Sequence, residues 1–196
     1  MHVLIVIDHP NKASFTHAVA ARFADGVKDA GHQVEIADLH DEGFNPVWQM
    51  ADFAQDAEDG TPMPPDVLAE QGRILRADAF ALCFPLWWWG MPSVMKGWVD
   101  RVFSWGWAYD QLDDPTPQGS RLAVKPCVLL VPAGVSPDSM GKGGYTAALE
   151  TLWIDGTFGY FGMDAALHVL HGATGRPERR LQHLELAYGL GQKIGN

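Results

Sequence analysis

Five short apolar runs, each followed by a stretch of helical periodicity, constrain this chain more than any other feature. They are HVLIVID at 2–8, HQVEIADL at 32–39, AFALCF at 79–84, KPCVLLVP at 125–132 and DAALHVL at 164–170. Near-continuous apolar runs, rather than strict alternation, suit strands covered on both faces. Between them the period changes. Phe15, Ala18, Val19, Phe23 and Val27 recur at helical spacing, and Gly31 closes that helix. A second helix is expected over 66–76, with Val67, Leu68, Ile74 and Leu75 on its apolar side. Pro92 stands at a first helical position and opens SVMKGWVDRVFSW. A further helix is expected from Tyr145 to about Tyr160, and Pro177 opens a last one with Leu181, Leu184 and Tyr188 on one face. Strand and helix in alternation predict an α/β fold, a doubly wound five-stranded parallel sheet formed by residues 1–196 as a single domain. The polar segment 40–65 interrupts the pattern and reads as a long excursion over the surface, with a short helix near 48–53.

Composition narrows the function classes. A formal net charge of −10 argues against a nucleic-acid partner or an anionic membrane surface. It leaves room for a phosphate-bearing cofactor, because helix N-termini hold phosphate without net positive charge. The most apolar window, 80–95, is broken by Pro85, Gly90 and Pro92, so no membrane insertion is expected. No secretory pattern is visible at Met1, and Cys83 and Cys127 read as buried free thiols in strands. A cytoplasmic location follows as an expectation. No metal site is expected: the cysteines form no CxxC, and His168 and His171 fall near a strand end, where i and i+3 face opposite ways.

In doubly wound sheets, ligands bind beyond the carboxyl ends of the strands. That points to loops 9–15, 84–92 and 132–145. The first, HPNKAS, has neither GxGxxG nor a P-loop. It nevertheless ends by opening a helix, where Ser14, Phe15 and Thr16 offer N–H and hydroxyl donors to a phosphate, with His9 and Lys12 nearby. The plain alternative is that Ser14 only caps the helix. The second loop begins FPLWWWGMPSVMKGWVDRVFSWGWAYD, 84–110, which holds six of the eight tryptophans. Trp87, Trp88 and Trp89, between two prolines, either pack densely under a loop or form a wall for a flat aromatic ligand. Trp98, Val102 and Phe103 read as core or dimer interface, and Lys96 and Arg101 as surface or interface ion pairs. Asp113 and Asp114 precede Pro115 in a turn, and Ser136, Ser139 and Gly141 form no nucleophile elbow.

The 84–110 stretch resembles the FPL-x-W-x-G-x-P-x-x-x-K-G-W-x-x-R-V-F signature of the NAD(P)H:quinone oxidoreductases with a flavodoxin-like fold. HPNKASF is similar to the family's His-x-x-x-x-Ser-Phe opening, and DLHDEGFNPV at 38–47 to its Asp-Leu…Phe-Asn-Pro segment. The resemblance implies strand order 2-1-3-4-5, a flavin cofactor and NAD(P)H as hydride donor. It implies that His9, Ser14, Phe15 and Thr16 take the phosphates and ribityl chain. Pro85, Leu86, Trp87, Trp88 and Trp89 would line the isoalloxazine ring, and Val131, Pro132, Ala133 and Gly134 would touch it from the fourth strand. A quinone or similar planar acceptor would be reduced by two-electron, ping-pong hydride transfer. Trp105, Trp107 and Tyr109 would cover that acceptor, in a homodimer with its sites at the interface.

Departures from the family pattern accompany these matches. The tyrosine and histidine that relatives carry after the fourth strand correspond to Gly141 and Tyr145, which leaves Tyr145 as the catalytic hydrogen-bond donor. The 44–46 FNP segment belongs to the FAD-type pattern, so FAD is expected. The chain ends after its fifth βα unit, without the C-terminal extension of the mammalian enzymes, which keeps FMN as the alternative. The WAYD tail at 107–110 also resembles the ancillary reductases of potassium-efflux transporters, so a regulatory subunit is a second reading. A flavodoxin-like electron carrier is a third.

Overall fold

The first strand decides the layering. In β1 (His2–Ile7) successive side chains point to opposite faces, so Val3, Ile5 and Ile7 enter one core and Leu4 and Val6 the other. All five are 4% exposed or less, and each contributes about 1.5–3 kcal/mol of burial. β3 (Ala79–Cys83) is asymmetric: small Ala79, Ala81 and Cys83 face one side, and large Phe80 and Leu82 face the other. The small side lets the helix following β1 lie close to the sheet.

The computed structural model describes residues 1–56, 60–109, 122–173 and 176–195. With β2 (Gln33–Asp38), β4 (Pro126–Ala133) and β5 (Asp164–His171), the described strands form one parallel sheet in the order β2-β1-β3-β4-β5. This is the doubly wound parallel sheet expected from the alternation, in the flavodoxin-like strand order that the resemblance implied. Helices α1 (Phe15–Asp29) and α6 (Pro177–Lys193) cover one face. Helices α2 (Pro65–Arg76) and α3 (Ser93–Val102) cover the other, together with the segment between β4 and β5. No helix among the described residues is long and apolar enough to cross a membrane.

Several expectations change in detail. In α2, Val67 and Ile74 are buried, but Leu68 and Leu75 are 46% and 60% exposed. Polar Glu70 and Gln71 take the inner positions because partners await them. Trp98 Nε1 donates to Glu70 at 2.9 Å, and Gln71 Nε2 donates to Val102 O and Ser104 Oγ, both at 3.0 Å. In α6 the packed face is Ala187 and Gly191, while Leu181 is exposed. The loop expected over 133–144 contains a short helix, α4 (Pro137–Lys142), capped by Ser136. The single helix expected over 145–160 is α5 (Tyr145–Leu149) continued as a π-helix, Glu150–Phe158. The wider turn brings Trp153 and Phe158, five residues apart, into the same core, and Trp153 meets Phe84 edge-on at 5.5 Å.

Glycine permits the tight crossing of α1 and α6. A Cβ on Gly26 would lie 2.1 Å from Tyr188 O, and one on Gly191 would lie 2.2 Å from Phe23 O. Both obstacles are backbone and neither can give. Gly26→Ala is therefore expected to destabilise the protein by about 1–3 kcal/mol through overpacking. This would appear as a lower urea midpoint with an unchanged slope; an unchanged midpoint would mean the helices are further apart than described here.

The two halves of the sequence signature dock on one another. A Cβ on Gly97 would lie 2.2 Å from Pro46 O, so α3 accepts the 44–46 segment only because residue 97 is glycine. Arg101, expected in a surface or interface ion pair, is paired but lies inside the chain, 1% exposed. It reaches Asp52 at 3.0 Å, Asp66 at 2.6 Å and Asn45 O at 2.6 Å. Asp52 belongs to a 3-10 helix, Met50–Asp56, where a short helix was expected. Lys96, by contrast, pairs with Asp100 at the surface.

Candidate functional site

Three loops leave the carboxyl ends of β1, β3 and β4 side by side, because those strands are neighbours in the sheet. Between them lies a cavity of about 240 Å³. Its walls are His9, Phe15 and Thr16 from the first loop and helix, Pro85, Leu86 and Trp87 from the second, Pro132, Ala133 and Gly134 from the third, and Ala173. A second cavity of about 230 Å³ shares Leu86, Ala133 and Gly134 and adds Trp88, Trp89 and Val135. Nearly every residue expected at the ligand is therefore at one of two adjoining cavities. Ser14 caps α1 and directly precedes Phe15, which lines the first. Val131 is the exception: it is fully buried in the core, because strand alternation turns its side chain away.

The polar end is built at the start of α1. Ser14 has extended backbone and accepts from His17 N–H at 3.2 Å. The N–H groups of Phe15 and Thr16, in the first turn, have no place in the helix's own ladder. His9 accepts the Asn11 N–H at Nδ1, 3.0 Å, and its ring stands 5.8 Å from that of Trp87. Burial lowers the His9 pKa, and the charge of nearby His17 adds to this. Lys12 is drawn outward to Asp41 and is absent from the cavity wall.

Asp8, which sequence reasoning passed over, ties the loops together. It ends the first apolar run and is completely buried. One oxygen accepts from Met95 N–H of α3 at 2.6 Å. The other lies 2.8 Å from His40 Nε2. Burial raises the Asp8 pKa, against the Met95 N–H and the His40 charge. A carboxylate below the first loop thus anchors the helix that follows the tryptophan loop. An acidic residue closing a strand just before a binding loop is the signal that identifies it.

The tryptophan loop is a tight two-residue turn. Gly90 N donates to Trp87 O at 3.0 Å, Trp87 N donates to Gly90 O at 3.3 Å, and Trp88 and Trp89 have φ of +49° and +60°. This is the backbone of a type I′ turn, which favours asparagine and glycine. The run divides. Trp87 faces the first cavity, Trp88 is 96% exposed, and Trp89 stacks on Tyr145 at 3.8 Å with planes 8° apart. Gly143 makes room for that stack, since a Cβ there would lie 2.3 Å from the Tyr145 ring. Trp88→Asn should stabilise the protein by about 1 kcal/mol by relieving left-handed strain at a side chain with little burial to lose. A thermal or urea midpoint that falls would show that Trp88 makes contacts worth more than the strain.

Tyr145 lies beside the second cavity through Trp89, without lining it. The expected substrate residues lie elsewhere in the same chain. Trp105 and Tyr109 are bridged across Gly106, and Trp107 meets Phe103 at 6.3 Å. Tyr109 borders a separate cavity of about 370 Å³, with Tyr160 and Phe161, that shares no wall with the first two. Aromatic packing onto the Phe103–Phe161 stack, at 4.5 Å, holds the segment there. Asp113, Asp114 and Pro115 lie outside the described residues.

The buried thiols are chemically quiet, with Cys83 pushed well above its ordinary range by burial and Cys127 up to about 12. No cluster of three or more metal-binding side chains occurs among the described residues.

Known proteins share this architecture. A family model described as the flavodoxin-like fold matches residues 1–189. An uncharacterized NAD(P)H oxidoreductase of Haemophilus influenzae is 33% identical over 176 residues, 88% of this chain and 84% of the relative. The structure of an NAD(P)H:quinone oxidoreductase from Methanothermobacter marburgensis superposes with a TM-score of 0.91 at 31% identity, covering 98% of each chain. The match to NAD(P)H dehydrogenase (quinone) 1 of Cavia porcellus, 31% identical, spans 54% of this chain and 44% of that enzyme. The chain belongs to the flavodoxin-like fold family, within its group of NAD(P)H oxidoreductases and quinone reductases.

Proposed function

We propose that this protein is a flavin-dependent NAD(P)H oxidoreductase that reduces quinones or similar planar acceptors by two electrons. One observation carries the reading: a cavity that joins the N–H groups at the start of a helix to a wall of proline, leucine and tryptophan at three adjacent strand ends. The donor set fits a flavin. The first turn of α1 suits a phosphate, and Leu86, Trp87, Ala133 and Gly134 offer a flat apolar bed. The names of two relatives that match most of the chain agree.

A flavin held there would supply the hydride chemistry of a two-electron, ping-pong reaction between NAD(P)H and the acceptor. The protein's part is placement. Phe15 and Thr16 N–H hold the phosphate end, Trp87 and Leu86 set the ring plane, and the loop from Ala133 closes the third side. Trp89 and Tyr145 border the neighbouring space in which a planar acceptor lies, and Tyr145 donates a hydrogen bond to it. Trp105, Trp107 and Tyr109, remote from the cavity of their own chain, reach an acceptor from the second subunit of a homodimer.

The FNP segment is accounted for by its packing on Gly97 and Arg101, so it does not favour FAD over FMN. The site therefore does not separate FAD, expected from the sequence pattern, from FMN, and the mass of the released cofactor decides between them. No observation favours a potassium-efflux subunit, and an electron carrier has no use for two adjoining cavities. The test is a visible spectrum of the purified or reconstituted protein before and after anaerobic NADPH, with a mass spectrum of the released cofactor. Yellow protein that bleaches supports the reading; colourless protein that neither FMN nor FAD reconstitutes overturns it.

A further inference from the structure

Ser14, His17 and Asp38 form a chain of hydrogen bonds. Ser14 Oγ lies 2.9 Å from His17 Nδ1, and His17 Nε2 lies 3.0 Å from Asp38 Oδ2. The His17 and Asp38 side chains are 14% and 16% exposed. Burial works against ionisation of Asp38, yet the His17 hydrogen bond and the Asp41 N–H hold its carboxyl below the ordinary value. An ionised Asp38 requires a proton on His17 Nε2. The state of Nδ1 then decides what the Ser14 hydroxyl does.

With His17 neutral, Nδ1 is an acceptor and takes the Ser14 hydroxyl proton, so the Oγ lone pairs are what remains for the cavity edge. With His17 protonated, Nδ1–H donates to Oγ, which also accepts the His17 backbone N–H, and the hydroxyl proton is released to donate elsewhere. We propose that the His17–Asp38 pair is a positioning device that switches Ser14 between withholding and offering a hydrogen bond to a phosphate at the start of α1. The inference rests on the flavin reading above. The charged and titratable groups around His17 are Asp38 from β2, His9 and Lys12 from the first loop, and Asp8, His40 and Asp41 beyond them.

Flavin affinity, read from fluorescence quenching between pH 5.5 and 8.5, tests this. Taking the ratio of wild-type Kd to that of His17→Phe at each pH cancels the titration of the phosphate itself. For FMN the ratio should rise about tenfold from the acid to the alkaline end, the value of one hydrogen bond. For riboflavin, which has no phosphate, it should stay flat. Should His17→Phe fail to fold, proton uptake by the wild type on binding FMN, measured calorimetrically in two buffers near pH 7, is the second readout. Uptake with FMN and none with riboflavin supports the device. Tight FMN binding with a flat ratio, or with no uptake, overturns the inference and leaves the flavin reading standing. A wild type that binds neither compound at any pH overturns both.

Discussion

Arg101→Ala is expected to destabilise the protein by about 3–5 kcal/mol, the cost of leaving a buried charge without its partner. Asp52 is fully buried and accepts from both Arg101 Nε and, at 2.6 Å, Gln49 N–H. Removing the guanidinium strands that carboxylate and the Asn45 carbonyl together, and loosens the hold of α3 on Asn45 and Asp52. Urea denaturation measures the loss. The double variant R101M/D52N should recover much of it, because a neutral pair needs no compensation. Loss of less than about 1 kcal/mol in R101A would mean that the cluster is open to water. Acid should weaken the same cluster. Burial opposes ionisation of Asp66, but the Arg101 hydrogen bond prevails and holds its carboxyl below the usual carboxylate range. A depressed carboxylate stabilises above its ordinary value and loses that contribution as pH falls through the folded-state value. The Asp66 contribution is therefore complete at neutral pH and is lost in acid.

Ser14→Asp should separate folding from cofactor binding. Aspartate caps a helix as well as serine, and a negative charge at the helix start is favourable, so the urea midpoint should hold within about 0.5 kcal/mol. The same charge occupies the position proposed for a phosphate. FMN should bind at least about 100-fold more weakly, while riboflavin, uncharged at that end, should change less than about threefold. Fluorescence quenching with the two flavins reads both. Equal weakening of FMN and riboflavin would place the effect in the shape of the cavity. Unchanged FMN binding would remove the phosphate from the start of α1.

The parallel sheet and the convergence of three loops at its strand ends were legible because both follow from local patterns. β1 has to be central, since a run such as HVLIVI tolerates water on neither face. Loops that leave central strands at their carboxyl ends then have to meet. What the pattern missed depended on partners far away in the chain. Arg101 reads as a surface or interface ion pair until Asp52 and Asp66, 49 and 35 residues earlier, arrive beside it. Glu70 and Gln71 read as solvent-facing until Trp98, Val102 and Ser104 supply their hydrogen bonds. The π-helix was invisible because α and π turns use the same residue types, and only the shape of the core calls for five-residue spacing.

The tryptophan loop shows where that division falls. By itself the sequence determined that Trp87, Trp88 and Trp89 stand in a proline-bounded loop at the end of a buried strand, since covalent geometry and hydrophobic period suffice for that. Only the tertiary structure decided which ring does what. Two left-handed residues turn Trp88 to solvent, Tyr145 captures Trp89, and the first loop leaves Trp87 beside His9. In the same way, Ser14 was legible as a helix cap, whereas its link through His17 to Asp38 was not. A side chain's neighbours are set by how distant segments pack, and no local pattern carries that information.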